Sequence, residues 1–273
     1  MMLQDASPCP VPRPRDMGPV NWLGLWTLYI REVRRFTKVW LQTIAAPVMT
    51  SLLFLAIFAL AFGPQRSISV ELVSFMEFLA PGLIMMTIVQ NAFANTSSSV
   101  TISKIQGNIV DTLMSPLSPW ELVVGFTLGG VTRGLVVGVC VSVAMLPFVT
   151  LHIHSIPYII FHTLGASVML SVLGIMAGLW SEKFDHIASI TNFVITPLSF
   201  LSGTFYSVDR LPEAFFFIAH ANPFFYMIDG FRYGFIGHPS SLPLTGVAVI
   251  LVFNIGLLLL CHRLIRSGYR LKN

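Results

Sequence analysis

Six apolar segments, separated by short polar stretches, constrain the fold of this chain more than any other feature of its sequence. They cover residues 41–62, 75–96, 122–149, 157–180, 188–206 and 242–264. A helix of about 20 residues crosses the hydrocarbon core of a bilayer, and each segment has roughly that length or more. Only 10% of the 273 residues are charged, which is too few to cover the surface of a soluble domain of this size. The sequence therefore predicts an all-α integral membrane protein with six transmembrane helices.

The distribution of lysine and arginine predicts the orientation of these helices. Basic residues are enriched in cytoplasmic loops. Twelve of the sixteen lie in the amino-terminal arm, at Lys104 and Lys183, and in the carboxy-terminal tail, whereas three lie in the loops on the opposite side. We therefore expect both termini in the cytoplasm. The orientation of the helices in the membrane also explains the positions of the basic residues better than binding to nucleic acid would, since these residues cluster at the two ends of the chain.

Residues 20–38 follow a proline-rich tail and have the pattern of an amphipathic helix. The tail, residues 1–19, contains five prolines and little to bury, so we expect it to lack regular structure. In the helix, aromatic residues recur at steps of three and four with basic residues between them. This pattern is typical of a helix that lies among lipid headgroups or against a protein partner. Its candidate functional residues are Trp26, Arg31, Arg34 and Arg35.

The longest polar interruption on the predicted cytoplasmic side covers residues 101–119. Its apolar residues Ile102, Ile105, Ile109 and Leu113 fall three, four and four positions apart, which predicts a helix lying across a surface. Such a helix would either grip a cytoplasmic partner or float among lipid headgroups. The candidate docking residues of this segment are Lys104, Ile105, Gln106, Gly107, Asn108, Ile109, Asp111 and Leu113.

Arg133 is a charged residue inside the third apolar segment, where an unpaired cation would be costly. We expect it to face protein. A candidate partner surface is the face of the second span that carries Asn91, Asn95 and Ser98 or Ser99. Two roles stay open for this contact: a polar contact between parts of the assembly that move, or a structural lock between two spans.

Residues 207–239 are too apolar for a solvated loop and too broken by proline and glycine for a span. They predict two half-helices that re-enter the membrane from the outer side, a backbone tolerated only beside protein or a water-filled cavity. Asp229 and Arg232, three residues apart, predict a local salt bridge on an exposed surface. The candidate residues of an outer gate are Phe205, Tyr206, Asp209, Pro223, Phe224, Asp229 and Arg232. Their aromatic neighbours would seal an exit or anchor the half-helices in lipid.

The chain contains no motif for binding ATP. A phosphate-binding loop needs a lysine directly after a glycine, and none of Lys38, Lys104, Lys183 and Lys272 has one before it. The carboxylates are scattered, and the histidine pair His152 and His154 would need further ligands to hold a metal. We therefore predict no catalytic, cofactor or metal site.

Residues 200–237 carry a more specific pattern, with LSG, DRLP, NP and FRYG elements in order. The chain resembles here the membrane subunits of ABC-2 type exporters, the permease family of type V ABC transporters. The likeness extends to residues 81–84, Asn91, residues 106–119 and the Arg133–Gly134 pair. It implies a homodimer in the bacterial inner membrane that binds two ATPase subunits. The partners would hold ATP and magnesium, and the complex would move drugs, lipids or lipid-linked glycans outward.

The resemblance also implies roles for three segments. Residues 20–38 are similar to the interface helix of the family, residues 101–119 to its coupling helix, and residues 207–239 to its re-entrant helices. We expect the row Ile105, Ile109 and Leu113 to enter a groove of the ATPase. The family often has Arg-Glu before the coupling glycine, whereas this chain has Ile105–Gln106 before Gly107, so charge pairing with the motor would differ. The alternative function is a passive channel; a membrane-embedded enzyme is disfavoured because buried ionisable residues do not cluster.

Overall fold

The computed structural model describes residues 18–62, 74–206, 218, 220–238 and 241–270, and these residues form helices and short connections. The structure therefore confirms the all-α class for the part of the chain it describes. The helices are α1 (Trp22–Thr37), α2 (Ala46–Phe62), α3 (Phe75–Ile105), α4 (Ile109–Met114), α5 (Pro119–Met145), α6 (Ile156–Trp180), α7 (Phe184–Ile190), α8 (Thr196–Leu201), α9 (Pro223–Ile236) and α10 (Pro243–Arg266).

Two π-helical turns interrupt the regular helices. Leu41–Ala45 leads into α2, and Thr191–Ile195 joins α7 to α8. Each turn ends two residues before a proline, Pro47 or Pro197. A proline ring clashes with the carbonyl group four residues earlier in an α-helix. The wider π turn relieves this clash and lets the helix continue.

Five helices in the described ranges are long and apolar enough to cross a membrane. They are Leu41–Ala61, Phe75–Ile105, Pro119–Met145, Ile156–Trp180 and Pro243–Arg266. These correspond to five of the six predicted spans. The remaining one, predicted at residues 188–206, coincides with α7, the second π turn and α8, followed by turns. A total of six spans thus stays a prediction.

Helix α3 forms the centre of the bundle and packs most extensively against α6 and α5. Leu79, Met85 and Phe93 are fully buried there. Small residues allow this close packing, since a Cβ atom on Gly134 of α5 would lie 3.1 Å from the Ile88 carbonyl oxygen. One on Gly174 of α6 would lie 2.6 Å from the Phe93 carbonyl oxygen. Glycine at such positions brings membrane helices close enough for dense packing.

The segment at residues 101–119 differs from its prediction. Its first five residues belong to α3, which continues to Ile105. Gly107 then adopts a φ of 76°, a left-handed conformation that glycine adopts without steric cost. The chain turns there and forms only the six residues of α4 before α5 begins at Pro119. The prediction of one amphipathic helix across the whole segment was wrong, because hydrophobic periodicity does not register a turn at a glycine.

The predicted amphipathic helix at residues 20–38 is present as α1, which packs along the first half of α5. Its buried residues Leu28, Glu32 and Phe36 are four apart and form one stripe. Two of them lie over glycines of α5, Leu28 over Gly125 and Glu32 over Gly129. Most of the predicted tail, residues 1–17, lies outside the described residues, as do residues 207–217, 219 and 239–240 of the predicted re-entrant segment.

We expect Gly174→Ala to destabilise the fold, because its methyl group would overlap the Thr96 hydroxyl and lie 2.6 Å from the Phe93 carbonyl oxygen, which belongs to the α3 backbone and cannot move away alone. Overpacking of this kind costs about 1–3 kcal/mol. The melting temperature of the detergent-solubilised protein should fall. Gly256→Ala on α10 is the matched control, since nothing lies within 4 Å of its added Cβ. Equal melting temperatures for the two variants would contradict the packing role of Gly174.

Candidate functional site

Helices α1 and α4 enclose an open cleft of about 830 Å³, together with the loop that joins α4 to α5. A hydrogen bond of 3.1 Å from Arg31 Nη1 to Thr112 Oγ1 connects the two helices. The Asn21 side chain, at the start of α1, donates to the Pro116 carbonyl oxygen at 3.0 Å. The short helix between α3 and α5 and the loop that follows it are thus each attached to α1 at one point.

The Glu121 carboxylate joins the starts of α1 and α5. One of its oxygens accepts from the Ser118 backbone N–H, and the Ser118 hydroxyl accepts from the Glu121 N–H at 3.3 Å. This reciprocal arrangement is a capping box. The other carboxylate oxygen accepts from the Asn21 N–H. Movement of the loop after α4 would therefore be passed to the first turns of both helices.

The outward side of α4 differs from the predicted apolar row. Val110 is 50% exposed and Met114 is 79% exposed, whereas Ile109 and Leu113 pack against the buried Val100, Leu122 and Leu179. The prediction that Ile109 and Leu113 face outward was wrong, because their row contacts this chain's own core. Ile105 is exposed, as are four polar or small members of the predicted docking set, Gln106, Gly107, Asn108 and Asp111.

Lys104 caps a helix. Its ammonium group donates to the carbonyl oxygens of Leu179 at 2.6 Å and Ser181 at 2.8 Å, at the end of α6. Arg270 donates to the neighbouring Trp180 carbonyl oxygen at 2.9 Å. Cations are favourable at a helix C-terminus, where carbonyl groups lack partners. Lys104 therefore holds the ends of α3 and α6 together.

A buried carboxylate, Glu32, connects α1 to α3. It is 1% exposed and accepts from the Ser99 hydroxyl at 2.8 Å and from Arg35 Nε at 3.3 Å. Arg31 Nη2 lies 3.4 Å from the same carboxylate. Burial lowers the pKa of Arg35, and the charge of Glu32 partly offsets this effect. Analysis of the sequence missed Glu32, although it lies four residues from both Leu28 and Phe36 on the buried stripe of α1.

The predicted interface-helix residues fall into two groups. Arg35 points inward and donates to the backbone carbonyl and side-chain oxygens of Asn95 at 2.6 and 2.9 Å, and to the Ser98 hydroxyl at 3.1 Å. Trp26 and Arg34 are exposed, and Arg31 reaches α4 as described above.

Arg133 contacts the predicted face of the second span. Its Nη2 donates to Asn91 Oδ1 at 3.0 Å. Asn91 is one of the residues of the predicted partner face, so the expected contact between Arg133 and that face is present. Asn95 lies one helical turn further along α3 and binds Arg35 instead. Arg35 and Arg133 thus approach the same polar face of α3 from α1 and α5.

The predicted outer-gate residues that the structure describes are largely packed. The Phe205 ring lies 5.1 Å from the Phe58 ring, and the Tyr206 hydroxyl donates to the Leu201 carbonyl oxygen at 3.1 Å. Pro223 begins α9, and Phe224 is buried behind it. Asp209 lies outside the described residues.

Asp229 and Arg232 are buried rather than exposed as predicted. Arg232 donates to the Gly203 carbonyl oxygen at 2.7 Å, and its guanidinium group lies 3.8 Å from the centre of the Phe78 ring. Asp229 accepts from the Ser241 N–H at 3.0 Å and from its hydroxyl at 2.7 Å. These hydrogen bonds join α9 to its neighbours. The two residues therefore fix the position of α9.

The sequence matches a known group of membrane proteins. Residues 24–236 fit the sequence pattern of the family described as ABC-2 type transporter. This chain belongs to the ABC-2 type transporter family. It is 37% identical to the inner membrane transport permease YadH of Escherichia coli strain K12 over 257 residues, which cover 94% of this chain and 100% of YadH. It is 24% identical to nodulation protein J of Rhizobium leguminosarum bv. viciae over 241 residues, which cover 86% of this chain and 90% of that protein.

Membership of the ABC-2 family confirms the resemblance found in the sequence and makes this chain a multi-pass permease subunit of a transporter. Permeases of this family work in general with an ABC ATPase. The matched region runs from the first turn of α1 to the end of α9. The buried polar face of α3 and helix α4 lie within this part of the permease, whereas the cleft also includes residues that precede it, such as Asn21.

We expect Glu32→Gln to destabilise the permease, because it leaves Arg35 without its buried counter-ion. Breaking a buried ion pair costs about 3 kcal/mol or more, which corresponds to a fall of about 6 °C or more in the melting temperature. The control is Glu182→Gln, since the Glu182–Arg270 pair is largely exposed and such pairs contribute about 0–1 kcal/mol. A Glu32→Gln protein as stable as this control would show that the buried pair does not hold α1 in place.

Proposed function

We propose that this chain is the membrane subunit of an ABC exporter in the bacterial inner membrane. Two copies would form a homodimer with two ATPase subunits, and the complex would move an amphipathic substrate such as a lipid, drug or lipid-linked glycan outward. Its membership of the ABC-2 family supports this proposal, as does its similarity to an inner membrane transport permease along nearly all of its length.

The observation that carries the proposal is the attachment of α4 to its surroundings. This helix lies between two helices long enough to span a membrane, α3 and α5, and presents the exposed Val110 and Met114. Arg31 and Asn21 connect the segment to α1. A partner that binds at this place would contact α1 and α4 together across the cleft.

The same contacts suggest how motion would pass into the membrane. Glu121 joins the loop after α4 to the starts of α1 and α5, and Glu32 and Arg35 join α1 to α3. Displacement of α4 by an ATPase would therefore move these three helices as a connected unit. ATP and magnesium would be bound by the partner, and their hydrolysis would supply the energy.

The apolar surface of α2 supports a homodimer. Only 11% of the most apolar 18-residue stretch of Leu41–Ala61 is buried within the protein, compared with 67% of the corresponding stretch of α3. Phe193, in the π turn between α7 and α8, is also strongly exposed. In the proposed dimer these surfaces would meet the second copy, and the substrate path would lie at the dimer axis near α2, α3 and the α7–α8 segment. Both termini would lie in the cytoplasm, with α4.

We expect Met114→Asp to weaken binding of the ATPase and uncouple its activity from transport, because it places a charge on the most exposed apolar side chain of α4. The measurement is co-purification with the ABC ATPase encoded beside the permease gene, followed by ATP hydrolysis in proteoliposomes. Loss of an apolar anchor at an interface costs about 1–2 kcal/mol or more, so binding should fall about tenfold. Met114→Leu is the matched control and should bind normally.

Two results would contradict the proposal. If the Met114→Asp and Met114→Leu proteins co-purified equally with the ATPase, α4 would not be part of the docking surface. Failure of the unmodified permease to bind the ATPase, together with flux of solutes that does not depend on ATP, would favour the passive channel instead.

A further inference from the structure

Helix α3 is buried along most of its length except for one narrow strip. From Leu79 to Thr101, every residue is buried apart from Gln90, Ala94 and Ser98, which are partly exposed. These three residues are four positions apart and therefore form one row on one side of the helix. Helices α5, α6 and α9 pack along α3, so the strip is the part of α3 that its own neighbours leave open.

Gln90 is the central residue of α3, which covers Phe75–Ile105. At about 1.5 Å per residue it lies roughly 22 Å from either end of the helix, deep in a hydrocarbon core about 30 Å thick. The other polar side chains from Thr87 to Thr101 each form at least one hydrogen bond. In the described part of the chain, the Gln90 side chain forms none. An unsatisfied amide group is costly at such a depth.

The strip runs along the edge of α2. The Ser51 hydroxyl of α2 lies 2.9 Å from the Thr87 hydroxyl, and Thr87 precedes Gln90 by three residues, on the same side of α3. Met49 and Leu53 of α2 are more than half exposed. They belong to the apolar surface assigned above to the second copy. The strip of α3 therefore continues that surface and adds a polar group to it.

The amide of Gln90 favours protein over lipid as the cover of this strip. Lipid chains would cover the apolar residues of α2, but they cannot form hydrogen bonds with an amide. A glutamine side chain has both donors and an acceptor. In a symmetric homodimer each copy presents the same surface patch, so a residue at the two-fold axis lies opposite its own counterpart. Ala94 is small enough to let two helices approach closely beside it.

We propose that Gln90 lies at the two-fold axis of the homodimer and forms reciprocal hydrogen bonds with Gln90 of the partner subunit. Each side-chain amide would donate to the oxygen of the other, so that both groups are satisfied. The pair would interrupt the proposed substrate path at this depth and separate when substrate passes. This inference rests on the homodimer of the proposed function, and it names the residue of α3 that joins the two copies.

The test replaces Gln90 by cysteine in the full-length protein, after its own Cys9, Cys140 and Cys261 have been changed to alanine. Membranes that contain the protein are treated with a short bifunctional thiol reagent, which makes up for the shorter side chain of cysteine. We expect the Gln90→Cys protein to form a covalent dimer. Val252→Cys is the matched control and should stay monomeric on the gel, since Val252 is 68% exposed near the middle of α10, which packs against α6 and α9.

A second measurement does not depend on cysteine chemistry. Gln90→Leu should raise the dissociation constant of the dimer in detergent about tenfold, because two hydrogen bonds between the copies are lost. Analytical ultracentrifugation measures this constant. Gln106→Leu makes the same change at an exposed glutamine after the end of α3 and should leave the constant unchanged.

The outcomes separate this inference from the proposed function. If the Gln90→Cys protein were dimeric by ultracentrifugation but not linked by the short reagent, the inference would be overturned and the proposed function would stand. Linking by a long reagent alone would have the same meaning, because the two side chains would then lie across an open path. A dimer as tight in Gln90→Leu as in Gln106→Leu would also overturn it. A permease that stays monomeric in complex with the ATPase would instead contradict the homodimer itself.

Discussion

The close approach of α3 to α5 and α6 is the interaction on which the rest of the structure depends. In a bilayer, burial of one apolar helix against another gains little, because lipid is equally apolar, so dense packing and hydrogen bonds between helices have to hold the bundle together. Gly134 and Gly174 let the backbone of α3 approach both neighbours. Helix α3 therefore lies at a defined position, and its polar face can receive side chains from α1 and α5.

That polar face connects the surface of the protein to its centre. Glu32 and Arg35 extend from α1 to Ser99 and Asn95 of α3, and Arg133 extends from α5 to Asn91. The cleft between α1 and α4 is lined by Arg31, whose guanidinium group also contacts Glu32, and Glu121 ties the loop beyond the cleft to the start of α5. A force on α4 would thus reach buried charged groups through hydrogen bonds rather than through flexible loops. The same network explains why an amphipathic helix contains a fully buried acidic residue.

Some features of the site could be predicted from the sequence. The predictions that were wrong have a common cause. The contact of Arg133 with Asn91 followed from the cost of an unpaired cation and from helical spacing along the second span. The outward direction of Ile109 and Leu113 was inferred from the same kind of spacing and was wrong, because both residues face Val100, Leu122 and Leu179. Periodicity identifies the apolar side of a helix but not what covers it. The partners of Lys104, Leu179 and Ser181, are about 75 residues away in the chain, so no local pattern predicts them.

The sequence by itself determined that this is a helical membrane protein of the ABC-2 family, where five of its long apolar helices lie, and that an amphipathic helix precedes them. These properties depend on local composition, spacing and motifs. The tertiary structure alone decided that α3 ends where Gly107 turns the chain, that Glu32 points inward, and that Asp229 and Arg232 are buried. Each of these depends on which distant segments lie side by side, and a carboxylate or guanidinium group can be buried only where such a neighbour offers it a partner.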